Sequence, residues 1–319
     1  MEDNKLTLEA FADKMLEGVN KHFKDTDYEA EKQVMYKNNN VALHGITLRN
    51  TSSVDKSVSP TLYIEGAYMN YSDGACFEDL LEEICENFEN NKEAPEEIQS
   101  FNNVYDLDYV REHSFIKLVA RENNDEYLKG MLKREFLNMY MVPYISLVDD
   151  DTPFSCHATT MVRDTFLDQW NITEDEAFDI ALKNTSTKLW YKPIISVLEK
   201  MQGIHLSDED EKAFNKDTFP MFVFGTKNML YGASVMAYPE YLDDCMLKEG
   251  YDSMVIIPSS VNEIIGIMYH KNSYDPAQFS EIPNMIRDVN DTQVQDQEIL
   301  TYTAYTKEMG KDIEYYSIV

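Results

Sequence analysis

Ser259 and Ser260 stand directly after Pro258 and just before Glu263, a spacing that can set a hydroxyl beside a carboxylate at the rim of a sheet. Such a serine becomes a nucleophile only if a neighbouring base takes its proton. Otherwise its hydroxyl serves the amides of a turn and Glu263 is solvated. His44, next to Gly45 in the run LHG, can present an imidazole to a ligand or hydrogen-bond within a sheet. Tyr63, Tyr68 and Tyr71, ahead of Gly74, form an aromatic cluster that can line a groove or sit at a core margin with one wet end. Asp149, Asp150 and Asp151 offer oxygen ligands to a hard cation, but three neighbours on one loop hold it loosely.

The other routes to chemistry are closed by spacing. Phosphate cradles need clustered glycines so that backbone amides can approach the anion, and the eleven glycines here are dispersed. The six histidines include no HExxH and no short His or Cys pairing of the zinc type. Cys156 and His157 are adjacent, so on a strand they point to opposite faces and form no dyad. A G-x-S-x-G elbow is missing. These readings lean away from an enzyme and assign no catalytic residue, cofactor or metal.

Charge carries the clearest pattern. Lys and Arg number 28 against 58 Asp and Glu, a formal net charge of −30, spread over every third of the chain. Hydrophobic residues at 43% leave enough apolar material for a core, so the chain is a folded acidic protein and not a disordered one. A surface of this sign repels phosphate, which argues against direct binding of nucleic acid or an anionic membrane. It can attract a basic protein partner, although solubility alone also accounts for spread charge.

The charge is concentrated at one place. Phe77, Leu80, Leu81, Ile84, Cys85 and Phe88 make one stripe of a helix over residues 75–91. Glu78, Asp79, Glu82, Glu83, Glu86 and Glu89 fill the opposite face, and Glu93, Glu96 and Glu97 follow, answered by Lys92 alone. Acids one turn apart lie about 6 Å from one another. A basic groove could read Glu82, Glu86, Glu89 and Glu93 as a row of phosphates; a solvated face is the plainer reading.

Around these residues the chain sets out its elements. Leu8, Phe11, Met15, Val19 and Phe23 predict a helix over residues 5–24. Strands at Gln33–Lys37 and Val41–Leu48 meet at Asn38, Asn39 and Asn40, a hairpin because asparagine tolerates positive φ. SPTLYIE, SFIKLVAR, NMYMVPYISL and SCHATTMV read as strands. Thr173 with Glu176 is a capping box opening a helix through Lys183, and Pro193 suits the first turn of another. MFVFGTKNMLYGASVMAY reads as a hairpin turning at Gly225–Asn228, and PEYLDDCML as a helix from Pro239. SMVIIPSSVNEIIGIMYH reads as two strands broken at Pro258–Ser260, residues 276–289 as a helix, and ILTYTAYT as a closing strand. Strands interrupted by helices without a βαβ repeat predict an α+β fold, with mixed or antiparallel sheets, packed amphipathic helices and two lobes. The charged stretch Glu122–Lys129 suggests lobes of residues 1–125 and 126–319.

The amino terminus carries acids where a signal peptide needs a basic flank, and the longest apolar run, Met139–Val148, is far short of the about 20 residues of a membrane span. Cys76, Cys85, Cys156 and Cys245 show no C-x-x-C pair and read as reduced core fillers. The expectation is a cytoplasmic protein with no membrane contact.

The ordered runs KNNNVALHGITLRN, SPTLYIEGAYMNYSDG, MVPYISL, DQWNITEDEAFDIALKNT, YGASVMAY, IIPSSVNE and IRDVNDTQVQDQEIL, with the acidic helix between them, cover almost the whole chain. Together they resemble a bacterial family known as domain of unknown function 5688. The resemblance rests on Asn39, His44, Gly45, Pro60, Tyr63, Gly74, Trp170, Asn184, Gly232, Pro258, Ser259, Ser260, Glu263, Asn290 and Glu298, mostly turn and core types. It implies a common fold and brings no activity or cofactor. Where the family pattern often has a histidine this chain has Asn262, and where it often has an aspartate after the leucine this chain runs LTYTAYT, so neither position receives a catalytic role. The functional expectation is a non-enzymatic interaction or regulatory protein that meets a basic partner, in its sharpest form an inhibitor mimicking nucleic acid. The competing expectation is an enzyme or small-ligand-binding protein with a cleft between lobes, using Ser260, Glu263 or His44.

Overall fold

The computed structural model describes residues 5–52, 59–92, 103–147, 158–202, 220–273 and 279–316. Asp149–Asp151, the Cys156–His157 pair, Glu93, Glu96 and Glu97 lie outside the described residues. The chain divides into two compact units, residues 1–106 and 107–319. The stretch Glu122–Lys129, expected to separate lobes, falls within the second unit, between two of its strands.

In the first unit, helix α1 (Leu8–His22) opens at Thr7, whose hydroxyl accepts from the Ala10 amide. Phe11, Met15 and Val19 recur every fourth residue and are fully buried. Strands β1 (Tyr28–Tyr36), β2 (Ala42–Asn50) and β3 (Thr61–Tyr63) form an antiparallel sheet in that order. The β1–β2 turn works as the asparagines predict: Asn39 and Asn40 take φ of 61° and 51°. Helices α2 (Glu65–Ser72) and α3 (Phe77–Asn91) follow. Ile46 and Leu48 of β2 pack with Phe11, Ile84 and Phe88 in one core, and each fully buried aromatic or aliphatic side chain contributes about 2 kcal/mol. Helix α2 has no apolar stripe and buries no residue fully, which is why periodicity misses it.

Among the described residues the second unit holds two antiparallel sheets. In the smaller one β6 (Met139–Ser146) pairs with β4 (Ser114–Ala120), β5 (Arg134–Phe136) and β7 (Thr159–Met161). Helices α4 (Leu107–His113), α5 (Asp164–Trp170) and α6 (Glu174–Ser186) accompany it, and α6 carries both halves of the Thr173–Glu176 capping box. Strands β8 (Leu189–Pro193), β9 (Met221–Thr226), β10 (Ser253–Pro258), β11 (Ile264–Tyr269), β12 (Tyr305–Glu308) and β13 (Ile313–Tyr315) form the larger sheet, in the order β13-β12-β10-β11-β9-β8. Among the described residues the unit also holds helices at Ile194–Gln202, Pro239–Glu249 and Ile282–Gln293. The fold is α+β, and every described strand pairing is antiparallel.

Three local expectations are corrected. MFVFGTKNMLYGASVMAY is no hairpin: after β9 the chain enters a 3-10 helix at Gly232–Ala237. Residues 232–236 are buried all round, and a run buried on every side has no alternation to distinguish strand from helix. Pro193 closes β8 and its helix begins one residue later. The strand expected over ILTYTAYT is confined to its end, starting at Tyr305.

Candidate functional site: the acidic groove of the first unit

Helix α3 buries Phe77, Leu80, Ile84, Cys85 and Phe88 and leaves its glutamates outside, as its two stripes require. Beside the buried stripe runs an open groove of about 660 Å³. Gly18 and His22 of α1 form one wall; Glu78, Leu81, Glu82, Cys85, Glu86, Glu89 and Asn90 of α3 form the other. Gly18 lets the helices close here, because a Cβ on it would stand 2.5 Å from Leu81 Cδ2.

The groove's two ends are neutralised and its middle is not. At one end the Cys76 thiol donates to Glu78 Oε2 at 3.1 Å and Lys14 lies 4.0 Å from Glu78, holding that carboxyl below its ordinary range. At the other, Lys92 donates to Glu89 at 2.7 Å and His22 Nε2 lies 3.4 Å away, and Glu89 is lowered by Lys92 first. Glu82 and Glu86 have no hydrogen bond or ion pair among the described residues. Of the four glutamates singled out from sequence, Glu82, Glu86 and Glu89 thus share one groove, and Glu93 lies outside the described residues. Sequence reasoning misses His22 and Gly18 and counts Leu81 only within the apolar stripe of α3; Gly18 beside Val19 in α1 is the available signal.

The remaining candidates are engaged in the fold. Ser259 Oγ donates to Glu263 Oε1 at 3.1 Å, while Ser260 Oγ accepts from the Asn262 amide at 3.0 Å. The Asn262 side chain in turn accepts from the Tyr231 amide at 3.0 Å. A hydroxyl and a carboxylate do meet, with no imidazole bonded to either among the described residues, and they close the β10–β11 turn. His44, in β2, is bound to Glu65 at the start of α2. The tyrosine cluster divides. Tyr68 packs edge-on and Tyr71 tilted against Phe11, with centroids at 5.5 and 5.2 Å, whereas Tyr63 stays on the sheet surface, with Lys37 Nζ 4.8 Å above its ring.

The cysteines are corrected in one respect: Cys85 and Cys245 are buried, but Cys76 is exposed at the start of α3. Among the described residues no three His, Cys, Asp or Glu side chains gather as a metal would need, and no helix is long and apolar enough to cross a membrane. The model of one protein family, described as Family of unknown function (DUF5688), matches residues 8–306. No curated protein and no solved structure matches the chain.

Proposed function

We propose that this chain, which belongs to the family of unknown function DUF5688, is a non-enzymatic interaction or regulatory protein whose α1–α3 groove receives a basic segment of a partner protein in the cytoplasm. The observation that carries the reading is the pair Glu82 and Glu86, one helical turn apart and without counter-charge among the described residues, beside the apolar Leu81. A lysine or arginine can lay its alkyl stem on Leu81 and bring its charge to both carboxylates. A partner groove built for nucleic acid would meet the same charge row, which makes inhibition of a nucleic-acid-binding enzyme the sharpest form of the proposal. The enzymatic alternative has weaker support, since Ser259 and Ser260 bond within their own turn.

The test is affinity capture from the native host with the wild-type chain, a Glu82→Gln/Glu86→Gln double variant, and a Glu174→Gln control on another exposed acid. The expected result is a basic protein that the wild type and the control retain and the double variant loses, with retention falling as salt rises. Equal retention by all three chains would remove the groove from the function.

A further inference from the structure

Strand β1 is an outer strand of its sheet, so among the described residues one side of its backbone has no strand partner. In an antiparallel pair the N–H and C=O groups of alternate residues point inward and outward. Ala30 identifies which: its N–H donates to Asn20 Oδ1 at 2.8 Å and its C=O accepts from Asn20 Nδ2 at 3.0 Å. The asparagine amide, reaching from α1, therefore stands in for a neighbouring strand. Tyr28 is closed in a similar way, its N–H donating to Thr26 Oγ1 at 3.2 Å. The same alternation turns the backbone groups of Lys32, Val34 and Tyr36 outward, and among the described residues nothing takes them.

The protection is thus confined to half of the strand. Its first half is capped by side chains and carries Glu29 and Glu31, devices that keep an edge from pairing. Its second half is open; Lys32 there pairs with Glu9 and Asp13 of α1, and the strand ends in three apolar, exposed side chains, Val34 at 45%, Met35 at 38% and Tyr36 at 41%. An edge that is blunted over one half and left adhesive over the other has a built register.

We infer that the open half of β1 is a dimerisation edge at which a second copy of this chain adds its own β1, antiparallel and centred on Val34, to make one continuous six-stranded sheet. The second copy is favoured over another strand by the complementarity of this sequence with itself in that register. Placing Val34 opposite Val34 brings Lys32 opposite Tyr36 and Gln33 opposite Met35, and sets Glu31 opposite Lys37 at both ends. Each open backbone group of residues 32, 34 and 36 finds its complement, Val34 meets its own copy at the centre, the stems of Lys32 and Gln33 lie along Tyr36 and Met35, and opposite charges meet at both margins. Glu31 also pairs with Arg49 across its own sheet at 2.5 Å, so the margin becomes a small charge network. The pairing segment is short, which makes the dimer reversible and concentration-dependent.

The test is sedimentation velocity on the full chain from about 1 µM to about 1 mM, comparing wild type with Val34→Lys, which sets two ammonium groups face to face at the centre of the edge. The wild type is expected to pass from monomer to dimer over that range, and Val34→Lys to weaken the dimer about tenfold or more with unchanged circular dichroism. Register is read separately by oxidative crosslinking against the wild-type background. Directly opposed residues here lie about 5.5 Å apart at Cα, within disulfide reach. Val34→Cys should crosslink into a dimer, while Tyr36→Cys, four residues from its own copy in this register, should not. A wild type that stays monomeric throughout, a dimer indifferent to Val34→Lys, or a Val34→Cys chain that does not crosslink would each overturn the inference. The crosslinking result decides the matter if the lysine variant fails to fold.

Discussion

Oε1 of Glu65 lies 2.6 Å from the backbone nitrogen of His44 and 3.0 Å from its ring Nδ1, so one carboxylate oxygen receives two donors of the same residue. The pairing of β2 with β3 ends at Gly45 and Tyr63, and the next amide facing β3 is that of His44. Glu65 continues the ladder from a side chain where the strand stops and α2 begins, while the His44 carbonyl accepts from Ile64 at 3.0 Å. Of the two readings of the imidazole, ligand-presenting or hydrogen-bonded at the sheet, these bonds agree with the second: His44 joins sheet and helix.

Removing the acceptor is expected to cost more than removing the ring. Glu65→Ala strands both donors and should destabilise the first unit by about 2 kcal/mol, against about 1 kcal/mol for His44→Ala, whose backbone amide keeps its partner. Urea unfolding of the two variants checks the order; a larger loss for His44→Ala would remove the account.

Gly232 faces backbone on every near side. A Cβ there would stand 2.3 Å from the Asn262 carbonyl oxygen and 2.6 Å from Gly225 Cα, and main chain cannot rotate away. Gly232→Ala is therefore expected to cost about 3 kcal/mol. Gly66→Ala, in α2 with nothing within 4 Å, should be neutral or stabilising by up to about 1 kcal/mol. Thermal melts of both variants make the comparison.

Lys307 is fully buried and its ammonium meets Asp243 at 2.5 Å and the Glu308 carbonyl at 2.9 Å. Asp243→Ala leaves that charge buried without its carboxylate, and should cost about 3 kcal/mol or more. Replacing both partners, Lys307→Met with Asp243→Leu, should recover much of the loss. A double variant as unstable as Asp243→Ala would show that the pair itself, and not the abandoned charge, matters.

Salt and acid should act in opposite directions. At pH 7 the charge of −30 makes the folded chain repel itself, so raising salt from about 0.02 to about 0.5 M should raise Tm. Glu308 is held below its ordinary range by Lys271 and Lys311, Glu176 by the Thr173 amide, and Asp252 by the Lys271 amide. A carboxyl lowered on folding stabilises above its unfolded value and loses that contribution as pH falls through its folded value. These contributions should therefore be intact at pH 6 and decline below about 4.3. Substituting Glu308→Gln should flatten the acid limb of a Tm-against-pH curve; an unchanged limb would remove Glu308 from it.

Thiol reactivity should follow burial. Burial raises the Cys85 thiol and pushes that of Cys245 up to about 11, whereas Cys76 is exposed. Of these three, iodoacetamide should modify only Cys76 in the native chain, as peptide mapping would show. Equal native labelling of Cys245 would contradict its placement in the core.

Much of the local structure is legible in the residues because its causes are local. The fourfold recurrence from Phe11 to Val19 makes α1, the two stripes from Phe77 to Phe88 make α3, the asparagines at 38–40 make the hairpin turn, and Thr173 with Glu176 opens α6. Each depends on neighbours within a few positions. Where burial is uniform, as at Gly232–Met236, or absent, as in α2, periodicity has nothing to read and the sequence misleads or is silent.

The sequence alone determined the acidity, the glutamate face of α3 and the chain's α+β character. Only the tertiary structure decided that Glu82 and Glu86 stand in a groove against α1, that Glu65 lies on His44 from 21 residues away, and that Asn20 closes one half of an edge strand and leaves the other half open. Periodicity dictates which face of an element is buried. Which distant side chain meets that face depends on how the elements pack, and a spacing along the chain does not encode a distance across it.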